Sequence, residues 1–122
     1  MYGTDEGYGE RFLRAYDADQ VIFSQGDPGD TMYVVEDGTV EVFRESADGP
    51  VTLARLTKGE FFGEMALVDD GPRSAGAAAG PDGARVLAID GPHFIYLVSQ
   101  QPAFALVVLG VMARRLRAKN EG

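Results

Sequence analysis

One acid and one base stand in residues 61–75, FFGEMALVDDGPRSA, where their types and spacing could do chemistry. Glu64 precedes Arg73 by nine residues in a stretch that is otherwise largely apolar and rich in glycine. A carboxylate only accepts hydrogen bonds, so its natural partner is a hydroxyl or an amine. A guanidinium matches a phosphate through two parallel N–H donors. A hydroxyl receptor beside an anion receptor predicts a site for a sugar phosphate.

The residues around this pair support the same prediction. Glu64 to Leu67 favours about one helical turn, and the unpaired N–H groups at its start favour an anion. Gly63 allows a ligand or backbone to approach closely, and Ser74 offers a hydroxyl donor. Taken alone, an acid and an arginine at this spacing also suit a solvated turn with a stray ion pair.

Turn signals recur about every ten to thirteen residues and separate short β-prone segments. This spacing favours an antiparallel sandwich or barrel over βαβ units, which need helices between strands. Asp37-Gly38 suits a two-residue hairpin, because glycine accepts a positive φ. The strand after Pro72 is expected to point Arg73 into the barrel. The predicted strands are 21–24, 32–36, 40–44, 51–56, 74–79 and 84–90.

Two helices follow the strands. Gly91-Pro92 opens the first, over 93–100, and Pro102 opens the second, which runs to about Lys119. The second helix is apolar nearly all round from Ala103 to Ala113, so it needs cover on more than one face. It either packs on the barrel or also forms a homodimer. Its basic end, 114–119, is interpreted as a helix terminus and not as a nucleic-acid patch.

Length and charge restrict the class of protein. The 122 residues predict one domain, with the roll over about 8–90 and the helices over about 91–119. A net charge of −8 opposes direct binding to nucleic acid. The absence of cysteine excludes disulfides and thiolate chemistry, and the longest apolar run is too short to cross a membrane. The expectation is a soluble cytoplasmic protein.

The segment Phe62 to Leu67, FGEMAL, followed by Pro72 to Ala75, PRSA, resembles the phosphate-binding cassette of the cyclic nucleotide-binding domain family. That family includes catabolite activator proteins, cyclic nucleotide-gated channels and regulatory subunits of cyclic-AMP-dependent kinases. The resemblance extends to segments 21–30, 32–35, 38–42 and 112–116, and covers roughly residues 8–118. It implies a mainly β fold, an antiparallel β-roll or jelly-roll barrel with a short cassette helix and two C-terminal α-helices.

The resemblance also implies a role for each charge. Glu64 would accept the ribose 2′-hydroxyl, and Arg73 would neutralise the cyclic phosphate. Backbone N–H groups near Gly63 and Ala66, with Ser74, would complete the phosphate contacts, while the base would lie on apolar surface under the C-terminal helix. The ligand would be cAMP, favoured over cGMP, without a metal. The implied binding residues are Phe62, Gly63, Glu64, Met65, Ala66, Arg73, Ser74 and Ala75.

These features favour a regulatory sensor that is not an enzyme and that signals through its C-terminal helix to an unknown effector protein. A ligand-free interaction or dimerisation module is the alternative. A metal-dependent cupin enzyme is disfavoured because His93 is the only histidine, and it is expected at a surface or capping position. Gly76 to Ala79 carry smaller side chains than relatives have, which predicts a thin or widened cavity wall. The chain is either a stand-alone sensor or a domain of a longer protein.

Overall fold

A computed structural model describes residues 12–69 and 71–121, with side chains as far as residue 118. The described residues form six strands, one short 3-10 helix and two α-helices. The predicted start of the roll near residue 8 lies outside them. The elements are β1 (Leu13–Tyr16), β2 (Val21–Phe23), β3 (Thr31–Arg44), β4 (Val51–Leu56), β5 (Phe61–Phe62), the 3-10 helix (Glu64–Leu67), β6 (Gly76–Asp90), α1 (Gly91–Gln100) and α2 (Ala103–Glu121).

All pairings in the sheet are antiparallel, and β3 and β6 have three partner strands each. The main path runs β1-β6-β3-β4, while β2 also pairs with β6 and β5 pairs with β3. The predicted fold class is therefore confirmed as a mainly antiparallel β-roll with two C-terminal helices. Within the described chain β1 and β4 do not pair, so the sheet does not close into a barrel.

Alternation along β3 and β6 builds two hydrophobic clusters, because successive side chains of a strand point to opposite faces. Tyr33 and Val35 face the interior of the roll with Val86 and Ala88 of β6. Side chains on the opposite face of the two strands lie toward the helices: Met32, Leu87 and Ile89 form a second cluster with Leu97 of α1 and Val108 of α2. Both faces of the central strands are thus buried, and the two C-terminal helices cover one of them.

The predicted hairpin at Asp37-Gly38 is wrong, since β3 continues through it as one strand of 14 residues. Gly38 has a φ of +76°, but the chain does not reverse direction there. The pairing of β3 with β6 is only irregular at this point. A Cβ at Gly38 would lie 2.2 Å from the Gly83 carbonyl oxygen of β6. The predicted turn at 81–83 is likewise part of β6, where residues 80–83 lie opposite Thr39 alone. The glycines permit close approach of two bent strands.

The helices follow the predicted bounds closely. Asp90 caps α1, its side chain accepting a hydrogen bond from the His93 backbone N–H at 2.9 Å. One face of α2 packs on the roll through Val108, with Phe104 and Val111 partly buried beside it. No helix in the described part of the chain is both long enough and apolar enough to span a bilayer.

His93 is buried, with only 4% of its surface exposed, so the expected surface position is wrong, while its backbone N–H takes part in the cap of α1. Its ring lies on Phe12, with the ring centroids 4.3 Å apart. Burial lowers the pKa of His93 below its ordinary value, and the nearby Asp90 charge and the Ala88 backbone only partly oppose this. The fold therefore favours the neutral imidazole.

This burial predicts a loss of stability in mild acid. Because the folded-state pKa of His93 is lowered, the unfolded chain binds the extra proton first, at its ordinary pKa of about 6.5. The contribution of neutral His93 is fully present above that pH and declines as the pH falls below it. Urea unfolding between pH 7.5 and 5 should show a weaker pH dependence for His93→Phe than for the wild type. Parallel stability curves for the two proteins would contradict the assignment.

Candidate functional site

The short 3-10 helix is placed by β5 and by one glycine. Phe62 pairs with Tyr33 of β3, and the chain then turns at Gly63, whose φ is +76°. A Cβ at Gly63 would lie 2.8 Å from Nη1 of Arg73. Gly63 is thus required both by its backbone conformation and by the close approach of the arginine.

Arg73 lies in the loop before β6, and its guanidinium is tied to two backbone carbonyls. Nη1 donates to the Gly63 oxygen at 3.1 Å, and Nη2 donates to the Thr31 oxygen at 2.8 Å. Its Nε–H is buried and has no hydrogen-bond partner among the described residues. A guanidinium carries five N–H donors, so the two carbonyls leave donors that an added anion can use.

Aromatic rings form the floor under this guanidinium. Its Cζ lies 4.1 Å from the centroid of the Phe23 ring and 5.9 Å from that of Tyr33. Phe62 completes the group, stacked on Tyr33 at 5.2 Å. An aromatic face attracts a cation and excludes water from it, so the cluster holds Arg73 in a partly desolvated position.

Glu64 starts the 3-10 helix and is buried, with 6% of its surface exposed. Its Oε1 accepts a hydrogen bond from Nη1 of Arg115 on α2 at 2.5 Å. Nη2 of Arg115 donates to the Phe61 oxygen at 2.6 Å, and the guanidinium lies 5.5 Å from the Phe61 ring centroid. One residue of α2 therefore contacts both β5 and the carboxylate that follows it.

A cavity of about 1120 Å³ opens between the roll, the 3-10 helix and α2. Phe23, Val42 and Leu53 provide apolar surface from the roll. Val111 and Arg115 line it from α2, and both Glu64 and Arg73 reach it. Its wall combines an apolar surface, a hydrogen-bond acceptor and a cation, the combination that is common in small-molecule sites.

A family model for the cyclic nucleotide-binding domain matches residues 13–101 of this chain. The chain belongs to the cyclic nucleotide-binding domain family. In sequence the domain is 42% identical over 105 residues to the cyclic AMP receptor protein of Thermus thermophilus, a match covering 85% of this chain and 48% of that protein. It is 45% identical over 67 residues to a cAMP-dependent protein kinase regulatory subunit of Aspergillus fumigatus, covering 55% of this chain and 16% of the subunit.

Solved structures show the same relationship. The crystal structure of Thermus thermophilus catabolite activator protein superposes with a TM-score of 0.80 at 39% identity, covering 88% of this chain and 51% of that one. The EAL enzyme Bd1971 in its cAMP-bound form gives a TM-score of 0.66 at 34% identity, covering 90% of this chain and 29% of the enzyme. A cGMP-bound form of that enzyme is similar to this domain as well. The chain spans about half the length of the receptor protein.

All eight residues predicted to bind ligand line the same cavity, the one between the roll, the 3-10 helix and α2. Their contacts with a nucleotide remain a prediction, and one of them differs from expectation in detail. The Ala66 N–H, expected to face phosphate, already donates to the Gly63 oxygen at 3.2 Å. Ser74 lines the cavity and is exposed. The eight predicted binding residues are Phe62, Gly63, Glu64, Met65, Ala66, Arg73, Ser74 and Ala75.

The predicted thin wall at 76–79 is not found, because these residues do not line the cavity. Ala77 and Ala79 are buried in the interior of the roll. Above Gly76 the Phe43 ring occupies the space that a side chain would need, with a ring carbon 2.4 Å from the Cβ position. The small residues therefore make room for Phe43 and for the roll interior, and they leave the cavity wall unchanged.

Arg115 is the residue of the site that sequence reasoning missed. The segment Met112 to Leu116 carried part of the family resemblance, but its arginines were interpreted only as a basic helix terminus. Helical spacing gives the signal, since Arg115 follows Val108 and Val111 on the face of α2 that packs inward. Its partner, Glu64, is 51 residues away in sequence. No metal-binding group of three or more suitable side chains occurs in the described portion.

Loss of Arg115 should destabilise the domain through Glu64. In Arg115→Ala the Glu64 carboxylate is left buried without that partner, so we expect a loss of about 1–3 kcal/mol in the free energy of unfolding. The cost should shrink in a Glu64→Gln background, which urea unfolding of the double-mutant cycle measures. Arg117→Ala is the matched control, because Arg117 is exposed on the same helix and makes no hydrogen bond or ion pair in the described structure. Equal losses of unfolding free energy in the two alanine variants would contradict a specific stabilising contact between Arg115 and Glu64.

Proposed function

We propose that this domain is a regulatory module that binds a cyclic nucleotide, with cAMP favoured over cGMP, and that it is not an enzyme. The observation that supports this most is the Nε–H of Arg73, which is buried and unpaired in the described structure beside a cavity that Glu64 also lines. A buried donor without a partner costs roughly 1–3 kcal/mol, and a bound anion would supply the acceptor.

Arg73 is the proposed phosphate receptor. The chain carries a net charge of −8, so an anion has to be attracted by local potential and not by the protein as a whole. The cyclic phosphate carries one negative charge, which one guanidinium balances. The aromatic floor under Arg73 lowers its access to water and strengthens a charge-assisted hydrogen bond to phosphate.

Glu64 is the proposed receptor for the ribose 2′-hydroxyl. A carboxylate offers about four acceptor positions, and the bond from Arg115 uses one of them. A hydroxyl can therefore donate to Glu64 while Arg115 stays bound. In a 3′,5′-cyclic nucleotide the 2′-hydroxyl is the only free ribose hydroxyl, so one carboxylate can distinguish ribose from deoxyribose.

The base is proposed to lie between the roll and α2, against Leu53 and Val111. The names of the relatives support cAMP, since one is a cyclic AMP receptor and another a regulatory subunit of a cAMP-dependent kinase. These names also support a binding role over a catalytic one. The Bd1971 enzyme has been solved with either nucleotide, so cGMP is the competing ligand.

Signalling is proposed to run through α2. Arg115 joins this helix to Glu64, the same carboxylate that would receive the ribose. A nucleotide can shift α2 between two positions only if it binds them with different affinity. Contact with Glu64 and with the apolar face at Val111 provides that difference in affinity. An effector protein that contacts α2 would respond to the shift in the helix position.

Calorimetric titration with cAMP and cGMP tests the function. Arg73→Ala should lose about 2–5 kcal/mol of binding free energy, because it leaves the phosphate charge unpaired. Glu64→Gln should cost less, and its difference from the wild type should shrink with 2′-deoxy-cAMP. Arg117→Ala, which removes a charge outside the cavity lining, should bind as the wild type does. Wild-type protein that gives neither heat nor a thermal shift at millimolar nucleotide would exclude the function; unchanged binding by Arg73→Ala would exclude the cassette assignment.

The alternative is an interaction module that works through dimerisation. It is supported by the outer face of α2, where Leu106, Leu109 and Leu116 are 72%, 59% and 61% exposed. Their spacing of three and seven residues places them along one stripe, and such a stripe suits a second copy of the same helix. Dimerisation is also compatible with nucleotide binding, because this stripe lies outside the residues that line the cavity.

A homodimer through this stripe predicts a mass that depends on concentration. Sedimentation equilibrium should give a dimer for the wild type and a monomer for the double variant Leu109→Glu with Leu116→Glu, since two buried carboxylates oppose association. Ile95→Glu is the control, because Ile95 is 70% exposed on α1, away from the stripe. A wild-type monomer at all concentrations would contradict the dimer.

A further inference from the structure

We propose that the turn of residues 26–31, between β2 and β3, positions Arg73 for its anionic ligand, and that Gly29 is the positioning residue within it. The inference rests on the proposed function for the identity of the ligand. It concerns residues that lie outside the cavity lining and to which the sequence analysis gave no role in binding.

The turn holds the main chain of Arg73 on both sides. The Arg73 N–H donates to the Asp27 oxygen at 2.8 Å, and the Gly26 N–H donates to the Arg73 oxygen at 2.8 Å. The turn is closed on itself as well, since the Ser24 N–H donates to Oδ2 of Asp27 at 2.9 Å and the Asp27 N–H to the Ser24 oxygen at 3.1 Å. These reciprocal bonds fix where the Arg73 Cα lies relative to β2.

The end of the same turn holds the side chain. The Thr31 oxygen accepts the bond from Nη2, while the Gly63 oxygen on the cassette side accepts the bond from Nη1. Together with the Phe23 ring, these contacts fix the plane of the guanidinium. Its remaining donors, including the buried Nε–H, are thereby oriented before any ligand arrives, which lowers the entropic cost of binding.

Gly29 sets how close the turn can come to this plane. A Cβ at Gly29 would lie 2.3 Å from Nε, 2.5 Å from Cζ and 2.6 Å from Nη2 of Arg73. Its φ lies outside the left-handed region, so the requirement for glycine comes from this contact and not from the backbone. The atoms that would have to move belong to the end of a flexible side chain. An alanine here should therefore displace the guanidinium and leave the roll folded.

The test compares Gly29→Ala with Gly91→Ala. Gly91 also lacks a left-handed φ, and a Cβ there would meet no atom within 4 Å, so the two changes have similar effects on the unfolded chain. By calorimetry, Gly29→Ala should bind cAMP about tenfold more weakly or worse, the loss of roughly one charge-assisted hydrogen bond. Gly91→Ala should bind within about twofold of the wild type, a difference well under the 1.4 kcal/mol of a tenfold change.

A second readout needs no ligand. The Arg73 Nε–H signal in a ¹H–¹⁵N correlation spectrum, assigned by its loss in Arg73→Lys, reports the environment of that group directly. We expect it to move in Gly29→Ala and to stay in place in Gly91→Ala, with thermal unfolding cooperative in both. An unmoved signal in Gly29→Ala overturns the positioning role whatever the affinity, and so does a moved signal with unchanged cAMP affinity. If the wild type binds no cyclic nucleotide, the proposed function fails, and the spectrum alone still decides whether Gly29 positions Arg73.

Discussion

A partly buried guanidinium is the constraint around which this domain is organised. Arg73 loses water on entering the mouth of the roll, and that loss has to be offset by acceptors and an aromatic face. The acceptors are the carbonyls of Thr31, where β3 begins, and Gly63, which follows β5. The aromatic face comes from Phe23 of β2. Residues from β2, from the start of β3 and from the end of β5 must come together around this one side chain, so the site depends on the folded roll.

The second charge of the cassette ties the roll to the helices. Glu64 is buried and pairs with Arg115, which also donates to the Phe61 carbonyl next to it. A buried carboxylate that loses its partner is destabilising. The position of α2 and the hydrogen bonding of the Glu64 carboxylate are therefore linked. The apolar cluster around Val108 holds the same helix against Met32 and Leu97. Packing therefore sets where α2 lies along most of its inward face, and one ion pair relates its C-terminal part to the cavity.

The fold class, the two helices and the eight cassette residues that line the cavity could be predicted from the sequence, whereas Arg115 could not. The connections within the sheet could not. Asp37-Gly38 has the composition of a hairpin turn, yet β3 passes straight through it because β6 bends beside it with Gly83 in close contact. The pattern at 81–83 was misleading for the same reason. A glycine with positive φ serves a reversal and a bulge equally well, and only the pairing partner decides which one forms.

By itself the sequence determined the chemistry of this domain: one carboxylate, one guanidinium, a glycine before the acid and a proline before the base. These are properties of residue type and short spacing, which local patterns report. The tertiary structure alone decided what surrounds each charge. Arg115 meets Glu64 across 51 residues, and Thr31 meets Arg73 across 42. Gly29 lies against a side chain 44 positions further along the chain, and the ring of buried His93 contacts Phe12 near the other end of the described chain. Such contacts depend on how strands pair and helices pack over the whole chain, and no local pattern records that.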